Sequence, residues 1–429
     1  MSILDLGPKP ADPKAPGRTP GRTPDLGPAT ALKCRECGST YPLDALYVCG
    51  ECFGPLEVAY EFRGVSRRSI EAGPANIWRY RGLLPVPADV MTTRNTEPGW
   101  TRLIRADNLA RELGMRELWI KDDSGNPTHS FKDRVVAVAL AAAQELGFDV
   151  LACPSTGNLA NAVASAAARA GIRSVVLIPA NLEAPKIVST AVYGGTLLAV
   201  RGDYDDVNRL ASELAGEEDW AFVNVNVRPY YAEGSKTLGY EVAEQLGWRL
   251  PEQVVVPIAS GSQLTKVDKA FGELTALGLV EERTVKVYGA QAAGCSPVAT
   301  AFKGGHDAIR PVRPDTIAKS LAIGNPADGL YALDVCRRTG GAVESVTDEE
   351  VLDAIRLLGR TEGMFAETAG GVTVATLRKL LREGLIDPGA TTVLLKTGDG
   401  LKTLDTVSSL VGPTAVIDPT LAAFRAAGL

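Results

Sequence analysis

Short apolar runs rich in β-branched residues alternate with amphipathic helical stretches through most of this 429-residue chain after residue 61. Continuous runs of valine, isoleucine and leucine suit parallel strands that are covered on both faces. The predicted strands span residues 150–152, 174–178, 196–200, 221–225, 254–258, 286–289 and 392–395. Because helices separate them, these strands are expected to be joined by right-handed crossovers. The pattern therefore predicts an α/β fold, in which ligands bind at the carboxyl ends of the strands.

The composition argues against several classes of partner. A net charge of −6 and a pI near 5.3 give no reason to expect nucleic acid or an acidic membrane. No apolar run approaches the roughly 20 residues that span a bilayer, and the first residues lack a basic and apolar signal region, so we expect a cytoplasmic protein. Only two histidines occur, which argues against catalytic triads and histidine-rich metal sites. Acid–base chemistry is then expected from lysine or from a cofactor.

Two segments precede the alternating region. Residues 1–31 are rich in proline and glycine and bury too little apolar surface to offset their ordering entropy, so we predict a disordered tail. Residues 32–60 contain two C-x2-C pairs separated by eleven residues: Cys34, Cys37, Cys49 and Cys52. This spacing lets four thiolates surround one tetrahedral Zn²⁺ and leaves no open position for catalysis. The sequence predicts a zinc-ribbon-like module with a structural metal; a knuckle that folds without metal, or with free thiols, is the alternative.

One lysine is distinguished by its position in the chain. The apolar run 118–120 is followed by a turn signal at residues 126–127, and then by a helical run. Lys132 is therefore predicted in the first turn of a helix just past a strand end, with Thr128 or Ser130 as the helix cap. The partial positive field there disfavours the ammonium form, and a lysine with a depressed pKa can form a Schiff base. A solvated surface lysine is the alternative.

Three loops that follow predicted strands carry glycine and small hydroxyl residues. The loop from Pro154 to Asn158 opens a helix, and its hydroxyl and backbone N–H groups suit an anion such as a carboxylate. The loop from Ala259 to Leu264 also opens a helix and suits a phosphate. A third loop presents Thr397 in a tight turn. A capped helix or an ordinary turn is the alternative for each loop, but two anion sites and a helix-start lysine together indicate a phosphorylated cofactor.

Taken together, these motifs resemble the pyridoxal-phosphate enzymes of the tryptophan-synthase β-subunit fold (fold type II), and within them the threonine synthases. The resemblance covers residues 34 to about 406, and the cysteine knuckles resemble those of a subgroup of that family. The stretches that carry it are 77–80, 100–103, 126–134, 155–158, 233–237, 323–326 and 396–400. It implies a large pyridoxal-phosphate-binding domain of residues 61–109 and 223–429. A small α/β domain of residues 110–222 would carry the Schiff-base lysine and the asparagine loop.

The resemblance also implies a role for each matching residue. Lys132 would form the Schiff base, and Asn158 would hydrogen-bond the 3′-oxygen of the cofactor. Thr397 would donate to the pyridine nitrogen, which then stays unprotonated, as suits elimination and replacement rather than transamination. The cofactor phosphate would be held through the backbone N–H groups of Ser260, Gly261, Ser262, Gln263 and Leu264. The substrate carboxylate would be received by Ser155, Thr156 and Gly157.

The sequence departs from the family pattern in two places. The phosphate loop reads Ser-Gly-Ser-Gln at residues 260–263, where the family commonly has a run of glycines, so these side chains must turn away or join in binding. Many threonine synthases also place an arginine directly before Glu233-Gly234, to bind the phosphate of the substrate, and this chain does not. Arg228 is expected to replace it from a shifted position, with Lys236 as a second cation. The alternative for Arg228 is a surface salt bridge.

The activity that the resemblance implies is conversion of O-phospho-L-homoserine and water to L-threonine and phosphate, with Lys132 moving protons at adjacent carbons. The nearest alternative is β-replacement on O-phosphoserine by sulfite or another nucleophile, as in a cysteate synthase. A threonine or serine dehydratase is less favoured, because cations near residue 228 would then have no anion to bind. A non-catalytic adaptor built on the zinc knuckles is the remaining class, but these knuckles carry few basic residues. The fold resembles one that commonly forms homodimers.

Overall fold

The computed structural model describes residues 23–155, 157–180, 182, 184–202 and 204–428, so the tail prediction for residues 1–22 lies outside the described residues. Strands and helices alternate through most of the chain, in agreement with the predicted α/β fold. The strands are β1 (Ala29–Cys34), β2 (Thr40–Tyr41), β3 (Leu56–Tyr60), β4 (Arg102–Arg105), β5 (Leu118–Asp122), β6 (Val150–Pro154), β7 (Arg173–Pro179), β8 (Thr196–Val200), β9 (Ala221–Phe222), β10 (Gln253–Pro257), β11 (Lys286–Ala292), β12 (Val343–Val346) and β13 (Thr392–Lys396).

Helices connect most of these strands. They are α1 (Arg67–Glu71), α2 (Asp107–Leu113), α3 (Lys132–Glu145), α4 (Asn158–Ala170), α5 (Ala184–Ala191), α6 (Tyr204–Glu217), α7 (Arg228–Glu233), α8 (Lys236–Gln245), α9 (Ser262–Ala276), α10 (Pro297–Lys303), α11 (Gly329–Arg338), α12 (Asp348–Glu362), α13 (Thr368–Arg382), α14 (Leu404–Val407) and α15 (Leu421–Ala426). Within the described ranges, no helix combines the length and the apolar character that crossing a membrane would require.

The largest sheet has the strand order β12-β11-β10-β13-β5-β4. Its neighbours are parallel except for β4, which pairs antiparallel with β5 at one edge. Every residue of β10 and β13 is buried, as expected for parallel strands with helices packed against them. Because β5, β10 and β13 are parallel neighbours, their carboxyl ends lie side by side. The loops that follow these three ends lead to Lys132, to the start of α9 and to Thr397.

A second sheet has the order β8-β7-β6-β9, and all its pairs are parallel. Helices α4 and α6 pack against β6 and β7. The loop after β6 leads into α4, whose first residue is Asn158. Helix α3 packs against α4 and α7, so the helix that begins at Lys132 joins the two sheets.

The four cysteines belong to a small antiparallel sheet with the order β2-β1-β3. Their four Sγ atoms lie within 4.8 Å of one another. Cys34 and Cys49 are buried, while Cys37 and Cys52 are exposed. The predicted pairs of cysteines are therefore brought together as one cluster, with the tight spacing that a tetrahedral ion needs.

Two predicted boundaries are corrected by this arrangement. The tail was expected to extend to residue 31, but Leu26 is buried at 1% exposure and β1 already begins at Ala29. The pairing of β1 with β3 orders these residues. The small domain was expected to begin at residue 110, but β5 pairs with β13 of the large sheet. The strand of residues 118–122 therefore belongs with the large sheet, and the boundary that the resemblance implied at residue 110 lies too early in the chain.

A buried ionic cluster joins the cysteine module to the rest of the fold. Glu57 of β3 pairs with Lys266 of α9 at 2.6 Å, and Lys266 also pairs with Glu233 of α7 at 2.7 Å. Burial disfavours the ionised form of Glu57, but Lys266, Lys269 and Arg35 outweigh it and lower the pKa of Glu57 to about 2. Removing one partner from such a buried pair is strongly destabilising. The cluster therefore fixes the module against α7 and α9.

Candidate active site

Lys132 is the first residue of α3, as predicted, and it lines an inner cavity at the carboxyl end of the large sheet. Its Nζ donates a hydrogen bond to the hydroxyl of Tyr231 at 3.2 Å. Burial lowers the pKa of Lys132 to about 8, while the negative charge of Glu367 acts in the opposite direction. The pKa of Lys132 is thus depressed, as expected, but the cause is desolvation and not the predicted field of the helix terminus. A neutral amine is therefore accessible near physiological pH.

The predicted caps of this helix are wrong, because α3 begins without any side-chain cap. The backbone N–H and the hydroxyl of Thr128 both donate to the carboxylate of Asp133, at 2.8 Å each. The Oγ of Ser130 is buried, has no hydrogen-bond partner among the described residues, and belongs to a side chain that lines the inner cavity. Ser130 is thus left with an unused donor and acceptor at the cavity, which a ligand could satisfy.

The start of α9 forms another part of the cavity wall. Gly261 has φ 95°, and a Cβ at this position would lie 2.6 Å from the carbonyl oxygen of Asp328. Helix α9 has no side-chain cap, so the first-turn N–H groups of Ser262, Gln263 and Leu264 have no intrahelical acceptor. The side chain of Leu264 is buried, and it can contribute only its backbone. The geometry is that of an anion site at a helix N-terminus.

The asparagine loop follows β6 of the second sheet and forms another wall of the cavity. Gly157 has φ 138°, and a Cβ there would meet the side chain of Lys186 at 2.7 Å. The Oγ of Ser155 accepts from the N–H groups of Gly157 at 3.1 Å and Ala160 at 2.9 Å, so it fixes the loop and keeps its own proton available to donate. Asn158 lines the cavity, and its Oδ1 is buried with no partner among the described residues. The prediction for Thr156 lies outside the described residues.

Glu367 is a site residue that the sequence analysis missed. Its Oε2 accepts from the Nδ2 of Asn158 at 2.9 Å, and its Oε1 accepts from the hydroxyl of Thr397 at 3.4 Å. It lies 2% exposed at the start of α13 and lines the inner cavity. A Cβ at Gly398 would lie 2.4 Å from this carboxylate, so only glycine permits the approach. Glu367 thus positions two predicted cofactor ligands with a single carboxylate.

The loop of Thr397 is joined to the loop of Lys132. The N–H of Phe131 donates to the carbonyl of Thr397 at 2.8 Å, and the N–H of Asp399 donates to the carbonyl of His129 at 3.1 Å. Thr397 itself is 8% exposed and lines the cavity. The two loops come from adjacent strands, β5 and β13, which explains why residues 265 positions apart meet here.

The two predicted phosphate-binding cations have different surroundings. Arg228 lines an outer cleft next to the inner cavity and pairs with Asp328 at 2.6 Å. Lys236 is fully buried, pairs with Glu233 at 2.8 Å and Glu273 at 3.1 Å, and belongs to the ionic cluster. The structure therefore places only Arg228 at the cleft. The expectation for Lys236 is corrected, because its amine is held by these carboxylates and by the carbonyl of Leu83 and lines neither the inner cavity nor the outer cleft.

The inner cavity, of about 60 Å³, and the outer cleft, of about 650 Å³, share several lining residues. The shared residues include Lys132, Asn158, Tyr231, Ser260, Ser262 and Ser320. Tyr231, whose sequence position had suggested no role, borders both spaces. A cleft of this size, with few but convergent polar groups, is typical of a small-molecule site.

The unpaired polar atoms around the cavity match the groups of pyridoxal phosphate. They are Ser130 Oγ, Asn158 Oδ1, Gln263 Nε2 and Ser320 Oγ, each without a partner among the described residues. A buried polar group without a partner is costly, so four of them at one cavity indicate a polar ligand. The amine of Lys132, the amide of Asn158 and the N-terminus of α9 are groups that can bind an aldehyde, a phenolic oxygen and a phosphate. The residues present therefore fit this cofactor.

Comparison with known families agrees with this site. A family model described as pyridoxal-phosphate dependent enzyme matches residues 95–398. The matched range contains Lys132, Asn158, residues 260–264 and Thr397. The four cysteines lie before it, so the module is an addition to the part of the chain that the model describes.

Curated relatives match over nearly the whole chain. A protein named threonine synthase from Methanosarcina acetivorans is 38% identical over 92% of this chain and 98% of its own length. One of the same name from Methanocaldococcus jannaschii is 38% identical over 87% of this chain and 93% of its own length. A third, from Halalkalibacterium halodurans, is 34% identical over 79% of this chain and 93% of its own length.

Solved structures support the fold alone. An L-serine ammonia-lyase from Rhizomucor miehei superposes with a TM-score of 0.62 at 22% identity, covering 72% of this chain and 98% of that one. Threonine deaminase isoform 2 from Solanum lycopersicum superposes with a TM-score of 0.60 at 21% identity, covering 76% and 92%. The predicted arrangement of a two-sheet α/β catalytic fold is therefore confirmed.

Proposed function

Since the chain belongs to the pyridoxal-phosphate dependent enzymes, and within them to the threonine synthase family, we propose that it converts O-phospho-L-homoserine and water to L-threonine and phosphate. The observation that carries this proposal is the convergence of Lys132, Asn158 and Thr397 with the start of α9 around one cavity. These residues come from four separate loops, and the resemblance to the family gives each of them a part in binding the cofactor.

The residues that would hold pyridoxal phosphate follow from their chemistry. The helix N-terminus at Gly261 to Leu264 would bind the phosphate through backbone N–H groups. Asn158 would donate to the 3′-oxygen with its second N–H, since the first donates to Glu367. Thr397 would turn its hydroxyl from the long 3.4 Å bond with Glu367 toward the pyridine nitrogen. Lys132 would supply the amine that bonds to the aldehyde carbon. When bound, the cofactor conjugates the substrate nitrogen with its ring and so delocalises the electron pair that remains after a proton leaves Cα.

Lys132 is the base that this reaction needs. Its amine lines the cavity, and the pKa of about 8 lets it take a proton and return it near neutral pH. We assign it one proton at a time: it removes the Cα proton and, after giving that proton up, removes a Cβ proton as phosphate leaves Cγ. This second proton is delivered to Cγ. Water then adds at Cβ and gives its other proton to the departing phosphate, and a proton is returned to Cα. The hydroxyl of Tyr231, 3.2 Å from Nζ, holds the amine in place between these transfers.

The rest of the cleft suits a phosphorylated amino acid. Ser155, with its free proton, and the helix start at Gly157 would receive the substrate carboxylate. Arg228 would bind the substrate phosphate, and Asp328 holds its guanidinium at the rim of the cleft. A dehydratase substrate has no second anion to use this arginine. Arg228 is therefore the feature that favours a phosphorylated substrate.

The direct test is turnover by the holoenzyme with O-phospho-L-homoserine, with phosphate and threonine measured together. We expect equimolar phosphate and L-threonine, and loss of at least about 10³-fold in rate in Lys132→Ala, because the base is removed. The absorbance band of the lysine-bound cofactor should vanish in the same variant. Turnover by Lys132→Ala at the parent rate would refute the assignment of the base.

Two other substrates separate the alternatives. Sulfite-dependent release of phosphate from O-phosphoserine, without threonine from phosphohomoserine, would assign the protein to β-replacement instead. Formation of a 2-oxo acid from threonine or serine would assign it to the dehydratases. Failure to bind pyridoxal phosphate at all would overturn the enzyme proposal and leave the adaptor reading.

We also propose that Cys34, Cys37, Cys49 and Cys52 bind one structural Zn²⁺. Support comes from their Sγ atoms, which lie within 4.8 Å of one another in a module whose strands are short. Four thiolates favour zinc over hard cations such as Mg²⁺.

A homodimer and a cytoplasmic location stay predictions, to be checked by light scattering and by fractionation.

A further inference from the structure

Part of the four-cysteine module borders the substrate cleft, although the cysteines lie outside the catalytic fold. Four of its residues line the outer cleft that also contains Lys132 and Arg228: Tyr47, Val48, Phe53 and Pro55. All four flank the second cysteine pair: two precede Cys49 and two follow Cys52. A segment held by the metal-binding cluster is therefore a wall of the site where substrate enters.

Phe53 is the most exposed apolar side chain of this wall. It is 80% exposed, whereas a large apolar side chain without a partner is normally covered. Its φ of 59° lies in the left-handed region, which is strained for a residue that is not glycine. The N–H of Phe53 donates to the carbonyl of Cys49 at 3.1 Å, and the N–H of Cys49 donates to the carbonyl of Gly54 at 2.9 Å. The cysteine turn thus imposes the backbone that brings this ring to the cleft.

The first cysteine pair reaches another wall of the same cleft. Tyr331 of α11 lines the cleft and donates a hydrogen bond to Glu36, and the guanidinium of Arg35 lies 3.6 Å from the centre of its ring. Helix α11 starts directly after Asp328, the residue that holds Arg228. Both cysteine pairs are therefore in contact with the outer cleft, one through Phe53 and one through Tyr331.

We propose that the cysteine module is a specificity wall of the active site, in which Val48 and Phe53 contact the substrate beyond its reacting carbons. This inference rests on the proposed function, because it takes a phosphorylated amino acid as the occupant. An apolar wall in the cleft of Arg228 excludes water and strengthens the attraction between the guanidinium and the phosphate. It also sets which chain length fits, and so separates phosphohomoserine from phosphoserine, which is one methylene shorter.

The test compares Phe53→Ala with Leu46→Ala in the holoenzyme. Leu46 is the control because it is another exposed apolar residue of the same module, at 37% exposure, but it does not border the cleft. In Phe53→Ala we expect a KM for phosphohomoserine about three- to tenfold higher, with kcat within about twofold, because a contact common to ground and transition states is lost. Leu46→Ala should match the parent. Equal KM values in the parent and both variants would overturn the proposal.

A second measurement needs no turnover, so it tests the proposed wall independently of the proposed function. O-benzylhydroxylamine is a bulky nucleophile that captures pyridoxal phosphate, and its rate of capture from the holoenzyme reports access to the cleft. Phe53→Ala should be captured at least about threefold faster than Leu46→Ala, while unsubstituted hydroxylamine should react with both at equal rates. If the parent makes no threonine but the capture rates differ in this way, the function fails and the wall stands. Equal capture rates would refute the wall.

Discussion

Lys132 experiences two opposing effects, and their balance sets when its amine is neutral. Burial disfavours the ammonium form, and the carboxylate of Glu367 favours it, which together give the pKa of about 8. Only the neutral amine bonds to the aldehyde of the cofactor, so the rate at which the apoprotein takes up pyridoxal phosphate should rise as the pH increases through about 8. Glu367 therefore controls reactivity as well as geometry.

Glu367→Gln should move that profile to lower pH. The variant removes the charge that raises the pKa of Lys132 and leaves burial, which lowers it, so the neutral amine appears earlier. The measurement is the rate of cofactor uptake by apoprotein across neutral and mildly alkaline pH, followed by absorbance. Glu344→Gln is the control, because Glu344 is equally buried at 2% exposure but pairs with Lys303 and Lys379 instead. A midpoint that stays or rises in Glu367→Gln would contradict the assignment.

Substitution of Arg228 should weaken substrate binding, whereas substitution of Lys236 should lower the stability of the fold. Arg228→Met removes the cation at the cleft and leaves Asp328 uncompensated, so the KM for phosphohomoserine should rise at least about tenfold. Lys236→Met breaks a fully buried pair and should lower the free energy of unfolding by about 3–5 kcal/mol, with KM unchanged in the folded protein. Steady-state kinetics and urea unfolding of both variants check this. A larger increase in KM in Lys236→Met than in Arg228→Met would contradict the placement of Arg228, and not Lys236, at the cleft.

The anion site that we propose at the start of α9 needs a backbone conformation that favours glycine. In Gly261→Ala the φ of 95° is strained, and the new Cβ would approach the carbonyl oxygen of Asp328 at 2.6 Å. We expect an affinity for pyridoxal phosphate that is lower by about tenfold or more, measured by titrating apoprotein. Gly272→Ala is the matched control: it lies in the same helix in open space and should leave the affinity unchanged. Equal affinities in the two variants would show that this loop does not hold the phosphate.

The central strands of the large sheet were predictable and its edges were not. Each predicted strand overlaps an observed one, from β6 at 150–154 to β13 at 392–396. Most of these strands are buried and read as continuous apolar runs, whereas β8 has such a run although it is largely exposed. The strands without a prediction include β4 and β12, which are the two edges of the large sheet and contain charged residues. The predicted strand 221–225 is shorter than expected, because only Ala221–Phe222 pairs at the edge of its sheet.

Within the site, residues that lie in a local sequence motif were predictable, and residues that reach the cavity through packing were not. Lys132, Asn158 and Thr397 were identifiable because each lies in a motif at a strand end. Glu367 and Tyr231 carry no local signal, since they reach the cavity only through the packing of α13 and α7. Lys236 was misplaced for a related reason: its motif predicts nearness to the substrate, but the direction of its side chain depends on Glu233 and Glu273.

At the level of the whole molecule, the cysteine module should behave as part of the enzyme. Removal of zinc by a chelator should expose four additional reactive thiols, because the four Sγ atoms form one cluster. It should also lower Tm, by about 2–4 °C for each kcal/mol lost. Metal analysis should find one zinc for each chain, and Cys49→Ser should reproduce the thermal effect. Cys336→Ser serves as the control, because Cys336 is buried apart from the cluster. A protein without zinc whose cysteines all react before chelation would refute this metal site.

The ion pairs of Glu57 also limit how such a protein can be recombined. A chimaera that joins this catalytic fold to an unrelated N-terminal segment would leave Lys266 beside Glu233 without its second carboxylate. The reverse exchange would carry the acid at residue 57 to a helix that lacks its lysine. Inheritance of the module is therefore tied to inheritance of α9, more than two hundred positions away along the gene. Successful exchanges between relatives should carry residues 57, 233, 266 and 269 together.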